Sequence, residues 1–253
     1  MLGAIVLNNS IAGDTKPSRW GFWGTVVWGV VIAAVSFVLQ IVIFIWAVAS
    51  RNENLSESEF AQALASAAQN GYFFSLTTLV TAVVCCALIL GVIKFKKRSI
   101  LSDYLAVRAV SLRTVLRWLA LLAGFILVSN VTTSLLGRPI VPSFMSVMYA
   151  TADPVWMIWV AMLIAAPLFE ETFFRGFLFE GFQSSFLGTV GTVVVTAGLW
   201  AVIHVQYDAY GIVSIFCLGL LLGAARAHTS SLLVPLGLHS ATNLVATIEA
   251  ADV

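Results

Sequence analysis

A chain of 253 residues that is 60% hydrophobic and only 10% charged falls well short of the charge, about 25%, usual in a soluble domain, so its solvent is largely lipid. The formal net charge of +1 excludes the basic footprint of a nucleic-acid binder. Cys85, Cys86 and Cys217 lie in apolar runs with no CxxC pair, which excludes a disulfide framework and reads them as small hydrophobes rather than thiolate ligands.

In chain order, residues 1–19 read as a short polar tail with Lys16 and Arg19. The apolar run Trp20 to Ser50 includes Ala47-Val48-Ala49, which looks like a signal-peptidase site, but it is about twice the 7–15 residues of a secretory apolar region. It is expected to be a retained transmembrane helix. A span needs about 20 apolar residues. The candidates are Trp23–Val48, Tyr72–Ile93, Trp118–Leu136, Val155–Phe177, Phe186–His204, Tyr210–Arg226 and Leu232–Ile248. The expected fold class is all-α, a polytopic membrane helix bundle of about seven transmembrane helices. Ser56 to Asn70 fits a short surface helix. Leu101 to Leu116, with Arg108 and Arg113 among Leu, Val and Tyr, fits an amphipathic helix lying on the membrane before the third span. Trp20, Trp23, Trp118 and Trp156 fall near span ends, where aromatic belts form.

Charge sets the expected orientation. Lys94, Lys96, Lys97, Arg98, Arg108, Arg113 and Arg117 follow the second span against one acid, Asp103, whereas Glu53, Glu57 and Glu59 follow the first against Arg51. Positive loops stay in the cytoplasm, so the N-terminus is expected inside and the acidic loop outside.

Polar residues then appear where lipid should forbid them: Glu170, Glu171 and Arg175 in one apolar run, His204 at the end of the next, His239 and Asn243 in the last. An ionisable group at bilayer depth costs several kcal/mol unless paired or solvated, so three such clusters read as one buried site. On a helix, Glu171 and Arg175 share a face and can pair. Glu170 is rotated about 100° away and lacks a local partner, which suits a general base. His204 shares a face with Trp200, and His239 shares one with Asn243. Pro167 and Pro235, just before two of the clusters, are expected to kink their helices. Counting back from turns near Ser185 and Thr229 at ~1.5 Å per residue puts Glu170 about 22 Å, His204 about 28 Å, His239 about 15 Å and Asn243 about 21 Å deep. One layer in the cytoplasmic half follows if the ends near Glu180 and Gln183 protrude from the membrane. Gly219 and Gly223 form a GxxxG helix contact. No HExxH, GxSxG or P-loop pattern is present.

The order and spacing Glu170-Glu171-x-x-x-Arg175, Trp200-x-x-x-His204 and His239-x-x-x-Asn243 resemble the CAAX-protease and bacteriocin-processing (CPBP, Abi) family of intramembrane proteases, which includes type II CAAX prenyl endopeptidases. The likeness covers Val155 to Ile248, and Trp200 stands where that family usually has phenylalanine. It implies an intramembrane endopeptidase with residues 151–253 as its catalytic transmembrane core, following N-terminal transmembrane helices over 20–150. It also implies roles: Glu170 activating water with His204, His239 and Asn243 stabilising the oxyanion, and Glu171 with Arg175 holding the helix. The substrate would be a peptide or protein, lipidated or not, in a bacterial inner membrane. The family's metalloprotease label raises zinc on Glu170, His204 and His239. Asn243 is a poor zinc ligand and no spacing forces those three together, so the metal-independent reading is preferred. A non-proteolytic scaffold or immunity protein is the alternative. A proton-coupled transporter is disfavoured by the lack of repeat halves.

Overall fold

The computed structural model describes residues 18–50 and 55–251. Within them the chain is an all-α bundle of ten helices: α1 (Phe22–Ala49), α2 (Glu57–Gln69), α3 (Gly71–Phe95), α4 (Leu101–Tyr104), α5 (Leu112–Leu135), α6 (Ser143–Ala150), α7 (Trp156–Gln183), α8 (Gly188–Val202), α9 (Ala209–Thr229) and α10 (Leu233–Ala251). Lys16, Arg51 and Glu53, which informed the expected orientation, lie outside the described residues.

By length and composition, α1, α3, α5, α7 and α9 can each cross a bilayer. The other two expected spans are less clear-cut. Helix α8 is apolar but only 15 residues long. Helix α10 has 19 residues, but His239, Asn243 and Glu249 dilute its apolar content. Outward-facing Trp23, Phe37, Trp46, Leu127 and Leu135 are exposed, as expected of a surface solvated by acyl chains.

Local rules account for the connections. Ser56 and Glu59 form a reciprocal capping box that starts α2, and these bonds hold the Glu59 carboxyl below the usual carboxylate range. Asn70 then caps α3 through the Tyr72 and Phe73 amides. A Cβ at Gly71 would lie 1.9 Å from the Met148 carbonyl oxygen, so only glycine lets α3 approach α6 this closely. The expected surface helix over Leu101 to Leu116 is broken. Helix α4 stops at Tyr104, Ala106 turns to φ +52°, and Ser111 caps a new helix, α5. The cause is tertiary: the Ala106 carbonyl accepts the Leu232 amide at 2.9 Å, and the Ser231 hydroxyl donates to the Arg108 carbonyl at 2.5 Å. Those bonds strap the segment to the α9–α10 turn.

Helix α7 departs most from regular geometry, with π-helical stretches over Ala161–Ala165 and Thr172–Leu178. In the first, the Ala166 amide reaches back five residues to the Ala161 carbonyl. Continuing that register, the Met162 carbonyl should receive residue 167, but Pro167 has no N–H. Asn243 of α10 fills the gap, its Nδ2 donating to Met162 O at 2.8 Å. The proline therefore acts by changing register and recruiting a partner helix. Pro235 does not kink α10, because it lies in the first turn, where an amide would have no intrahelical partner anyway.

The end of α7 is tied into the bundle: Glu180 is buried between Arg19 (2.6 Å) and Arg226 (3.2 Å), and it also accepts from Gln183 (3.1 Å). Arg19 is thus tied to α7 rather than lying in a free tail.

Replacing Asn243 by alanine leaves the Met162 carbonyl without a donor and should destabilise the protein by about 1–3 kcal/mol. Pro167→Ala restores an N–H in register, so the double variant should melt above Asn243→Ala alone; thermal unfolding in detergent measures both.

Candidate functional site

The polar residues of α7 meet those of α8, α9 and α10 around one buried indole. Glu171 and Arg175 are both fully buried, and Arg175 Nη1 donates to Glu171 Oε1 at 2.9 Å. The expected i,i+4 pair therefore forms, although a π-helical stretch begins between them. Arg175 Nη2 reaches the Gly219 carbonyl of α9 at 3.2 Å, and its guanidinium lies 4.7 Å from the Trp200 ring centroid. The Gly219–Gly223 face does more than pack. A Cβ at Gly219 would stand 3.0 Å from Ala197 Cβ and 3.1 Å from Trp200 Cε3, so its glycine both admits α8 and bares a carbonyl to Arg175.

His239 enters from α10. Its Nδ1 lies 2.9 Å from Glu171 Oε1, and its Nε2 lies 4.0 Å from Glu170 Oε2. An ionised carboxylate accepts only, so Nδ1 carries the proton and Nε2 is the nitrogen turned toward Glu170. As a neutral ring His239 accepts at Nε2; as an imidazolium it donates there.

Glu170 lacks a partner on its own helix, as the periodicity indicated, and finds one on α8. Trp200 Nε1 donates to Glu170 Oε2 at 2.5 Å. The Glu170 side chain is 18% exposed, the most accessible of the site's carboxylates. His204 lies in the turn just past α8 rather than within it. Its Nδ1 is 2.7 Å from the Trp200 carbonyl, which can only accept, so Nδ1 is protonated and a neutral His204 presents Nε2 as a base. The indole stands edge-on between the two histidines, 5.1 Å from His204 and 5.2 Å from His239 by ring centroids.

Five of the six sequence-predicted residues are thus gathered about Trp200, with Asn243 one turn beyond His239 on α10; Glu171 and Arg175 pair as expected, but Glu170 and His204 do not. The histidine within ion-pair reach of Glu170 is His239, while His204 is linked to the site through Trp200. One amide hydrogen of Asn243 is committed to Met162, leaving one other for chemistry. Tyr207 was not foreseen. Its ring lies 6.2 Å from His204, its hydroxyl contacts Met145 Sδ at 3.8 Å, and burial, then the Glu170 charge, push that hydroxyl up to about 12. Its position three residues after His204 was the only available signal.

Residues 152–245 match the family model described as type II CAAX prenyl endopeptidase Rce1-like. This stretch is similar to Rce1-like domains. All six residues fall inside it. The chain is also 32% identical over 125 residues to an uncharacterized 24.3 kDa protein of Escherichia coli, an alignment covering 47% of this chain and 58% of that protein. The chain therefore spans only 58% of the length of the curated relative it matches. No solved structure matches it. Among the described residues, no three His, Cys, Asp or Glu side chains of the Rce1-like stretch or elsewhere are grouped to hold a metal. Glu170, His204 and His239 as arranged do not fit a zinc triad, and no step below passes through one.

Removing one partner of the Glu171–Arg175 pair leaves a buried charge uncompensated. Arg175→Ala should therefore destabilise the protein by about 3–5 kcal/mol, and the double variant Glu171→Leu/Arg175→Met by less than that. Thermal melts of the three proteins in detergent provide the comparison.

Proposed function

We propose that this chain is an intramembrane endopeptidase in which Glu170 activates the water that attacks a peptide bond. The observation that carries this reading is the convergence of Glu170, His204 and His239 about the buried Trp200 ring, with Asn243 one helical turn beyond His239, within the Rce1-like stretch. A base must be able to reach water, and Glu170 is the carboxylate of the site with residual exposure. It takes the water's proton as the oxygen bonds to the peptide carbonyl carbon. His204, with Nε2 free, assists from the far side of the Trp200 ring, and the proton passes on to the leaving amine as the C–N bond breaks. The carbonyl oxygen becomes an oxyanion. His239 Nε2–H and the second Asn243 amide hydrogen are the donors aimed at it, and the absence of bulk water strengthens both.

Glu171 and Arg175 position this machinery. Glu171 fixes the ring of His239 through Nδ1, and Arg175 holds the Glu171 carboxylate in place beside it. The substrate is a peptide or protein segment, lipidated or not, of the CAAX or bacteriocin-leader kind. The protein sits in a bacterial inner membrane with its N-terminus inside and the site in the cytoplasmic half, as the basic segments around Lys94 to Arg117 argue.

Peptidomics of membranes from cells producing the wild type should reveal fragments that vanish with Glu170→Ala and with His204→Ala at equal protein levels. Fragments unchanged in both variants, with phenotype retained, would assign the chain to a scaffold or immunity role instead. Purified protein should contain much less than one zinc per chain and keep its activity through chelation. Stoichiometric zinc whose removal abolishes activity and whose return restores it would overturn the metal-independent mechanism.

A further inference from the structure

We propose that the Trp200 indole N–H is the positioning group that fixes the Glu170 carboxylate for attack, an inference that rests on the reading of Glu170 as the water-activating base. Glu170 gets no hydrogen bond from its neighbour Arg175, whose Nη1 and Nη2 turn to Glu171 and the Gly219 carbonyl. A carboxylate whose side chain is 18% exposed has lost most of its hydration and needs donors in place of water. Trp200 supplies one, from Nε1 to Oε2.

The indole is suited to this because it cannot move. Trp200 is 2% exposed. Two imidazoles abut it edge-on, the Arg175 guanidinium covers its face, and α9 approaches it closely at Gly219. An N–H on an immobile ring is a fixed point in the site. Binding Oε2 stops the carboxylate from rotating about its last torsion, which is otherwise broad and roughly two-fold. Oε1 is thereby defined as the oxygen presented to water. The backbone carbonyl of the same residue accepts the Nδ1–H of His204, so one residue orients both members of the water-activating pair. Phenylalanine would keep an aromatic ring at this position, but it is smaller and has no N–H.

The test uses the full-length chain. In detergent micelles with 15N-labelled tryptophan, the Trp200 indole signal is identified among the eight tryptophans by its loss in Trp200→Phe. Its proton should resonate downfield and move upfield in Glu170→Ala by more than any other indole; a Trp200 signal that stays in place would overturn the hydrogen bond. For function, 3-benzothienylalanine at position 200 preserves the bicyclic shape and replaces N–H by sulphur, which keeps the experiment decisive even if Trp200→Phe folds poorly. Fragment formation in cells should be about tenfold slower than in the wild type at equal protein level and unchanged thermal midpoint, the size expected for one hydrogen bond to a charged group. Wild-type rates in the benzothienyl variant, with Glu170→Ala inactive, would overturn the positioning role while leaving Glu170 as base. Fragments persisting in Glu170→Ala would overturn the reading of Glu170 itself.

Discussion

A backbone carbonyl that loses its helical N–H cannot be left facing hydrocarbon, and this constraint organises the bundle. Helix α7 leaves the regular register twice, and partner helices donate to its backbone at both places. Asn243 of α10 meets Met162 O, and Arg226 of α9 gives its Nε to Arg175 O at 2.9 Å. The donors differ in kind, an amide and a guanidinium, but each crosses from a later helix to an irregular stretch of the same one. The helix that carries both glutamates is thereby pinned to the two helices that complete the site. A π-helical register also shifts the side chains that follow it, so the direction of Glu170 and Glu171 depends on the same irregularity.

Satisfying the fold and building the site are therefore not separate tasks. Glu171 Oε1 takes both Arg175 and His239, so the pair that neutralises a buried charge also aims an imidazole. Gly219 is a packing glycine whose missing side chain lets α8 bring Trp200 up to α9, and its exposed carbonyl helps hold Arg175. Asn243 stabilises a strained register with one hydrogen and keeps another. This double use limits substitution. An apolar replacement for the Glu171–Arg175 pair could pack well and still lose the orientation of His239.

Much of this was legible in the sequence. Hydropathy located the long helices, because lipid leaves few other ways to solvate such stretches. The i,i+4 relation of Glu171 and Arg175 holds because a pair that close needs only helical periodicity. The broken segment after Tyr104 was not legible: its amphipathic pattern fits a surface helix, and only the distant Leu232 amide and Ser231 hydroxyl show why Ala106 turns instead. Nor could periodicity reveal the π-helical stretches, since it assumes the very register that they abandon. The pairing of Glu170 was hidden for another reason. Treating Trp200 as a large aromatic registers its volume and contacts but ignores its one polar atom, and that atom is the one that reaches the carboxylate.

The bundle holds a second buried carboxylate, and the contrast explains why only one is read as chemical. Glu180 lies on the same helix, roughly 13 Å from Glu171 at ~1.5 Å per residue. It is held by Arg226 from α9, and by Arg19 ahead of α1. Its side chain is 3% exposed, and the groups that face it are two guanidiniums and an amide NH2, all of which donate to it and none of which is a base. Nothing among them can accept a proton and pass it on, so the cluster works as a clasp joining the start of α1 to α7 and α9. At the Glu170 level an imidazole replaces one guanidinium, and the carboxylate retains a share of exposed surface. Those two differences, a partner able both to accept and to donate and a share of exposed surface, favour the Glu170 level over the Glu180 clasp as the place for the proposed chemistry.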